Sequence, residues 1–166
     1  MGRLAAAFLA AAAMAPAPGW ARPEVVHAAR GWAAIDHGGV CEASARSLRI
    51  AAKDKAQASA GFAFAADRRR WGEFHARLGR APRAGSSVLL KVGDQPFLLV
   101  ARGDWVWSRG RAQDSAIIAA VRHSGGMRIE ARDQGGRRFT DHYTLAGAPT
   151  AIDAAAARCA GKIVRR

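Results

Sequence analysis

Met127-Arg128-Ile129-Glu130-Ala131-Arg132 is followed by Gly135-Gly136, and then by Arg138-Phe139-Thr140-Asp141-His142-Tyr143-Thr144-Leu145. The first run alternates apolar and charged residues. That period of two belongs to a β-strand, so Met127, Ile129 and Ala131 point inward while Arg128, Glu130 and Arg132 point to water. The glycine pair reads as the turn into a second strand. There Phe139, Tyr143 and Leu145 sit at even spacing and share a face. Asp141 falls on that same apolar face, which marks an edge position or a polar contact.

The same grammar extends toward the N-terminus. Glu73 to Leu78 alternates, with Phe74, Ala76 and Leu78 on one face. Ser87–Val92 and Pro96–Ala101 are short apolar runs separated by Gly93-Asp94-Gln95, a hairpin signal. Gly103-Asp104 precedes another short strand, Trp105-Val106-Trp107. Gly31–Asp36 and Gly61–Ala66 read as strands packed through Trp32, Ile35, Phe62 and Phe64. Two helices interrupt this pattern. Asp114 is the expected N-cap of Ser115–His123, where Ile117, Ile118 and Val121 form one stripe. Thr150 is the expected cap of Ala151–Ala160, where Ile152, Ala156 and Cys159 share a face and Gly161 follows at C′. Ala51–Ala60 fits either a loop or a short helix. The expected fold is mainly β, an antiparallel β-sandwich or barrel-like arrangement, with two short α-helices.

The chain has 166 residues, which suits a single domain. Its first 21 residues read as an export leader: Arg3, an uncharged apolar run from Leu4 to Ala15, then small residues up to a cleavage point after Ala21. The run is too short for a transmembrane anchor. Residues 22–166 then form one β-rich domain ending in a short basic tail, and the expected location is periplasmic or secreted. Oxidising conditions and an even cysteine count predict a Cys41–Cys159 disulfide, the only intramolecular pairing two cysteines allow. No Cys-x-x-Cys motif points to a reactive thiol pair.

No histidine has ligand spacing with another, and no serine sits in a nucleophile elbow, so nothing indicates a metal, a cofactor or a catalytic set. The anomaly is basicity: a formal net charge of +13 from 26 basic and 13 acidic residues. Arg68, Arg69 and Arg70 precede Trp71, while Arg102 and Arg109 flank Trp105 and Trp107. Guanidinium forks recognise phosphate or carboxylate and stack on aromatic rings. The fitting partners are an anionic envelope glycan, a lipid headgroup or an acidic protein. Export and the lack of a recognition motif argue against nucleic acid. The bland reading is that arginine is a compositional habit of an alanine- and arginine-rich chain, and that the two tryptophans pack in the core.

The order of the last elements is more specific than any one of them. A helix (Asp114–Arg122), a strand (Met127–Asp133), Gly135-Gly136, a strand ending in Leu145-Ala146-Gly147, and a short helix carrying Cys159 follow an early Trp32 and Cys41. With the leader, this resembles the invasion-associated locus B family of exported alphaproteobacterial proteins, over roughly residues 31–160. The resemblance implies a small β-rich periplasmic or surface domain with no established enzymatic activity. The stretch Arg68-Arg69-Arg70-Trp71 has no counterpart in that pattern. The contrasting class is a small periplasmic hydrolase whose site is assembled from distant residues.

Overall fold

The computed structural model describes residues 22–162. The leader reading and the end of the basic tail lie outside the described residues. Among those described, ten strands and two helices follow in order. They are β1 (Glu24–Ala29), β2 (Trp32–Asp36), β3 (Val40–Arg46), β4 (Ser59–Ala65), β5 (Trp71–Arg77), β6 (Val88–Val92), β7 (Gln95–Arg102), β8 (Trp105–Trp107), α1 (Arg111–Arg122), β9 (Gly126–Arg132), β10 (Arg138–Thr144) and α2 (Ala148–Ala160). The chain is mainly β and antiparallel with two helices, as the alternation predicts. The strands form one sheet in the order β1-β2-β3-β4-β5-β8-β7-β6-β9-β10. Its end strands do not pair, so the sheet is not a closed barrel. It nevertheless curls around one core. Trp32 Nε1–H of β2 donates to the Thr144 carbonyl of β10 at 2.8 Å, and the Leu48 N–H donates to the His142 carbonyl at 2.7 Å.

Alternation places the core. Phe62 and Phe64 of β4, Phe74 and Ala76 of β5, Leu90 of β6, Ile129 of β9 and Tyr143 of β10 all face inward and are buried. Ile35 differs from expectation: it lies on the outer side of β2 and is only half-buried. Asp141 does face inward, and a polar contact explains it. The Gly79 N–H donates to its Oδ2 at 2.9 Å, fastening the segment after β5 to β10.

Both helices start earlier than their expected caps. α1 has Gly110 at its N-cap, and Asp114 lies inside the first turn. The Asp114 carboxylate is buried, accepting the Phe74 N–H at 3.0 Å and the Ser108 hydroxyl. It therefore anchors the helix to β5 instead of capping it. α2 begins after Gly147 with a proline in its first turn, so Thr150 is internal. Gly147 has φ 88°, and a Cβ there would stand 2.8 Å from the Ala29 carbonyl, which excludes side chains. Gly161 caps α2 in right-handed conformation instead of the expected left-handed one. The Ala51–Ala60 stretch is a loop that enters β4 at Ser59.

Cys41 of β3 and Cys159 of α2 form the expected disulfide, with Cα atoms 5.7 Å apart. Buried Asp36 sits beside this staple, bound by Arg158 Nε at 2.7 Å and by Lys162 Nζ. Burial pushes the Asp36 carboxyl up. The hydrogen bonds from Lys162, Arg158 and the Gly38 N–H outweigh that and hold it well below the usual carboxylate range.

Candidate aromatic and arginine face

Strand register assembles residues that the sequence keeps apart. The pairings Arg46↔Ser59, Ser59↔Arg77, Arg77↔Trp105 and Trp105↔Arg102 run one rung across β3, β4, β5, β8 and β7. The flanking residues Ala45, Ala60, Ala76 and Val106 are buried, so this rung points outward. The next outward rung is Ser44, Gly61, His75, Trp107 and Val100.

Trp105 and Trp107 therefore stand on the solvent side of the sheet, contrary to core packing. Trp105 is 38% exposed, and the two rings stack at 6.3 Å between centroids with 21° between planes. His75 extends the row, 6.1 Å from Trp105. Val100 and Leu98 of β7 add exposed aliphatic surface beside it.

His75 is half-buried on this face. Its Nε2 lies 3.0 Å from Glu42 Oε1. Glu42 reaches it across Gly61, where a Cβ would come within 2.9 Å of the same oxygen and 2.7 Å of the Ala43 carbonyl. The His75 contact is the main cause that holds the Glu42 carboxyl below its usual range. Burial opposes it, and the charges of His75 and His37 reinforce it. Nothing in the sequence linked Glu42 to His75, because they are 33 residues apart and meet only through the β3–β4–β5 register.

The arginines of this face differ in their pairing. Arg77 Nε donates to Asp104 Oδ2 at 2.8 Å. Arg46 and Arg102 have no carboxylate partner among the described residues.

The other expected binding residues lie elsewhere. Arg68, Arg69 and Arg70 form the β4–β5 turn, at the opposite end of β5 from Arg77 and about 20 Å away at ~3.3 Å per residue. The Arg68 guanidinium stacks over Trp71 at 4.4 Å from the ring centroid, and Trp71 packs edge-on against Phe64. The Arg68 carbonyl accepts Arg111 at 2.8 Å, and Arg69 lies 3.8 Å from Asp67. Arg70 is exposed. Arg109 is exposed just before α1, its N–H donating to Gln113 Oε1 at 2.6 Å. The structure thus splits the expected set into a turn cluster and a sheet face. Only Arg102, Trp105 and Trp107 share the face.

A separate cleft of about 630 Å³ opens between the β3–β4 loop and β10. Arg49, Lys55, Arg80, Phe139 and Asp141 line it. Burial raises the Asp141 carboxyl, against the pull of the Gly79 N–H and nearby cations. Burial likewise raises the Tyr143 phenol, whose hydroxyl lacks a partner among the described residues. No group of three metal-ligating side chains occurs among the described residues, and none of their helices is long and apolar enough to cross a membrane. Comparison with known proteins finds no matching family model, curated protein or solved structure.

Proposed function

We propose that this chain is an exported, non-enzymatic binding domain of the cell envelope that holds an acidic glycan across the outer face of β5, β8 and β7. The observation that carries the reading is the outward Trp105–Trp107 stack set beside Arg102 and Arg77. Indole faces take the apolar face of a sugar ring, and guanidinium forks take its carboxylate or phosphate. The resemblance to the invasion-associated locus B family supports the same placement: a small β-rich domain in the periplasm or at the cell surface.

A serine hydrolase would need a base beside its hydroxyl. The cleft at β10 has Ser47 and Asp141 but no histidine in its lining, and the Ser47 hydroxyl donates to the Arg49 carbonyl at 2.9 Å. His75 has Nε2 against Glu42 and Nδ1 facing the Glu73 carbonyl at 3.5 Å. Neither ring nitrogen faces a hydroxyl.

The test is retention on polygalacturonate against neutral dextran, with reducing ends assayed in parallel. The expected result is selective retention, no cleavage, and a loss of roughly tenfold in affinity for Trp105→Ala/Trp107→Ala, equivalent to about 1.4 kcal/mol. Unchanged retention by that variant overturns the assignment of the face. Release of reducing ends overturns the non-enzymatic reading.

A further inference from the structure

The loop between β3 and β4 combines two features that the rest of the surface keeps separate. Its aliphatic side chains are turned out of the core: Leu48 is 63% exposed and Ile50 87% exposed, the latter the most exposed large hydrophobic residue among those described. Around them stand Arg46, Arg49, Lys53 and Lys55, all exposed, with Asp54 as the one acidic residue in the segment. Lys53 and Lys55 are two of the four lysines in the chain. An arginine-rich composition does not account for them.

The loop is built, not slack. The Ser47 N–H donates to the Ala58 carbonyl at 2.9 Å and closes its base. The Gln57 side chain fills its interior, accepting the Ala51 N–H at 2.9 Å and donating to the Ser47 hydroxyl at 2.9 Å and the Arg49 carbonyl at 3.0 Å. The Leu48 N–H fastens it to β10. With its backbone fixed this way, the loop holds Leu48 and Ile50 in water, where exposed aliphatic surface is unfavourable. Their collar of cations fits a surface that offers phosphates outside and hydrocarbon beneath.

We propose that the Ser47–Ala58 loop docks the domain on an anionic phospholipid bilayer, with Leu48 and Ile50 entering the headgroup region and Arg46, Arg49, Lys53 and Lys55 meeting lipid phosphates. Each cation near a negative leaflet adds attraction, which fades within a Debye length and with salt. Two aliphatic side chains supply the part that salt does not remove. The loop joins β3 and β4 at Arg46 and Ser59, the end rung that also carries Trp105. Docking therefore presents the aromatic face beside the bilayer. The proposal does not depend on the glycan reading.

The test is cosedimentation of the oxidised protein with phosphatidylcholine vesicles, with and without phosphatidylglycerol. Binding should require phosphatidylglycerol. It should fall roughly tenfold or more in Leu48→Ser/Ile50→Ser, given the transfer free energy of two such side chains. A similar fall is expected in Lys53→Glu/Lys55→Glu. Both variants change only exposed side chains, so their thermal melts and polygalacturonate retention should match the parent. In a second measurement, Ile50→Trp should show a blue-shifted emission component on the same vesicles that the parent lacks. Parent-like binding by the serine variant, an unshifted Ile50→Trp signal on bound protein, or binding without phosphatidylglycerol overturns the proposal. Full displacement by soluble glycerol phosphate also overturns it, because that would mark a headgroup pocket and not a docked loop.

Discussion

Reducing the Cys41–Cys159 bond should cost this domain a large part of its stability. The two cysteines are 118 residues apart, and the chain-entropy relation for a ring of that size gives about 5 kcal/mol at 25 °C. A domain of this length has a total stability of about 5–15 kcal/mol, so the staple accounts for a third or more of it. At about 2–4 °C per kcal/mol, the melting temperature should fall by roughly 10–20 °C. Both cysteines are fully buried, so the reduced form is best prepared by unfolding in reductant and refolding. Urea titration of oxidised and reduced protein, followed by circular dichroism, gives both terms. The unfolding free energy should drop, and the m-value should rise because an uncrosslinked unfolded chain exposes more surface. Cys41→Ala/Cys159→Ala should reproduce the reduced protein, with a small further loss from the missing sulfurs. A melting temperature that moves by less than about 3 °C, with an unchanged m-value, refutes this account of the staple.

Asp36→Asn should lower stability at pH 7 by about 1–3 kcal/mol, because charged hydrogen bonds to Arg158 and Lys162 weaken. The folded carboxyl titrates below its ordinary value of 3.8, so its contribution is present above that pH and is lost as pH falls through the lower folded value. The gap between parent and variant in urea midpoints should therefore narrow between about pH 4 and pH 2, and a constant gap would contradict the ion-pair assignment. Gly61→Ala should destabilise by about 1–3 kcal/mol, since its Cβ would meet the Ala43 carbonyl at 2.7 Å and displace Glu42. Urea midpoints check this, and a variant as stable as the parent would show that Glu42 and the Ala43 carbonyl yield to the extra carbon without cost.

Strands with large side chains on one face were legible, as in Glu73 to Leu78 and Met127 to Arg132. β1 and β3 were not, because alanine and serine carry little contrast between the two faces. Asp141 announced itself by breaking parity, but its partner, the Gly79 N–H, lies 62 residues away and has no sequence signal. The helix starts differ from the capping signals at Asp114 and Thr150 because both helices begin on glycine, which carries no capping side chain. Parity placed Trp105 and Trp107 on one face without saying which side of the sheet that face was. The arginines could be counted in sequence, but only the β3-β4-β5-β8-β7 order shows that Arg46, Arg77 and Arg102 share a rung. The docking loop was invisible because its decisive property is that Leu48 and Ile50 escape the core.

The unclosed curl of the sheet bears on how the protein behaves at high concentration. An open edge strand is a template for further strands, and β10 leaves its outer edge without a strand neighbour. Two of its carbonyls, His142 and Thr144, are already taken by the Leu48 N–H and the Trp32 indole. At the other end, β1 carries a register irregularity between Val25 and His27, which disrupts the regular ladder an incoming chain would need. The contacts that pull the curl together thus blunt the β10 edge, and the irregularity in β1 blunts the other, against amyloid-like stacking. The domain gains resistance to aggregation without closing the barrel.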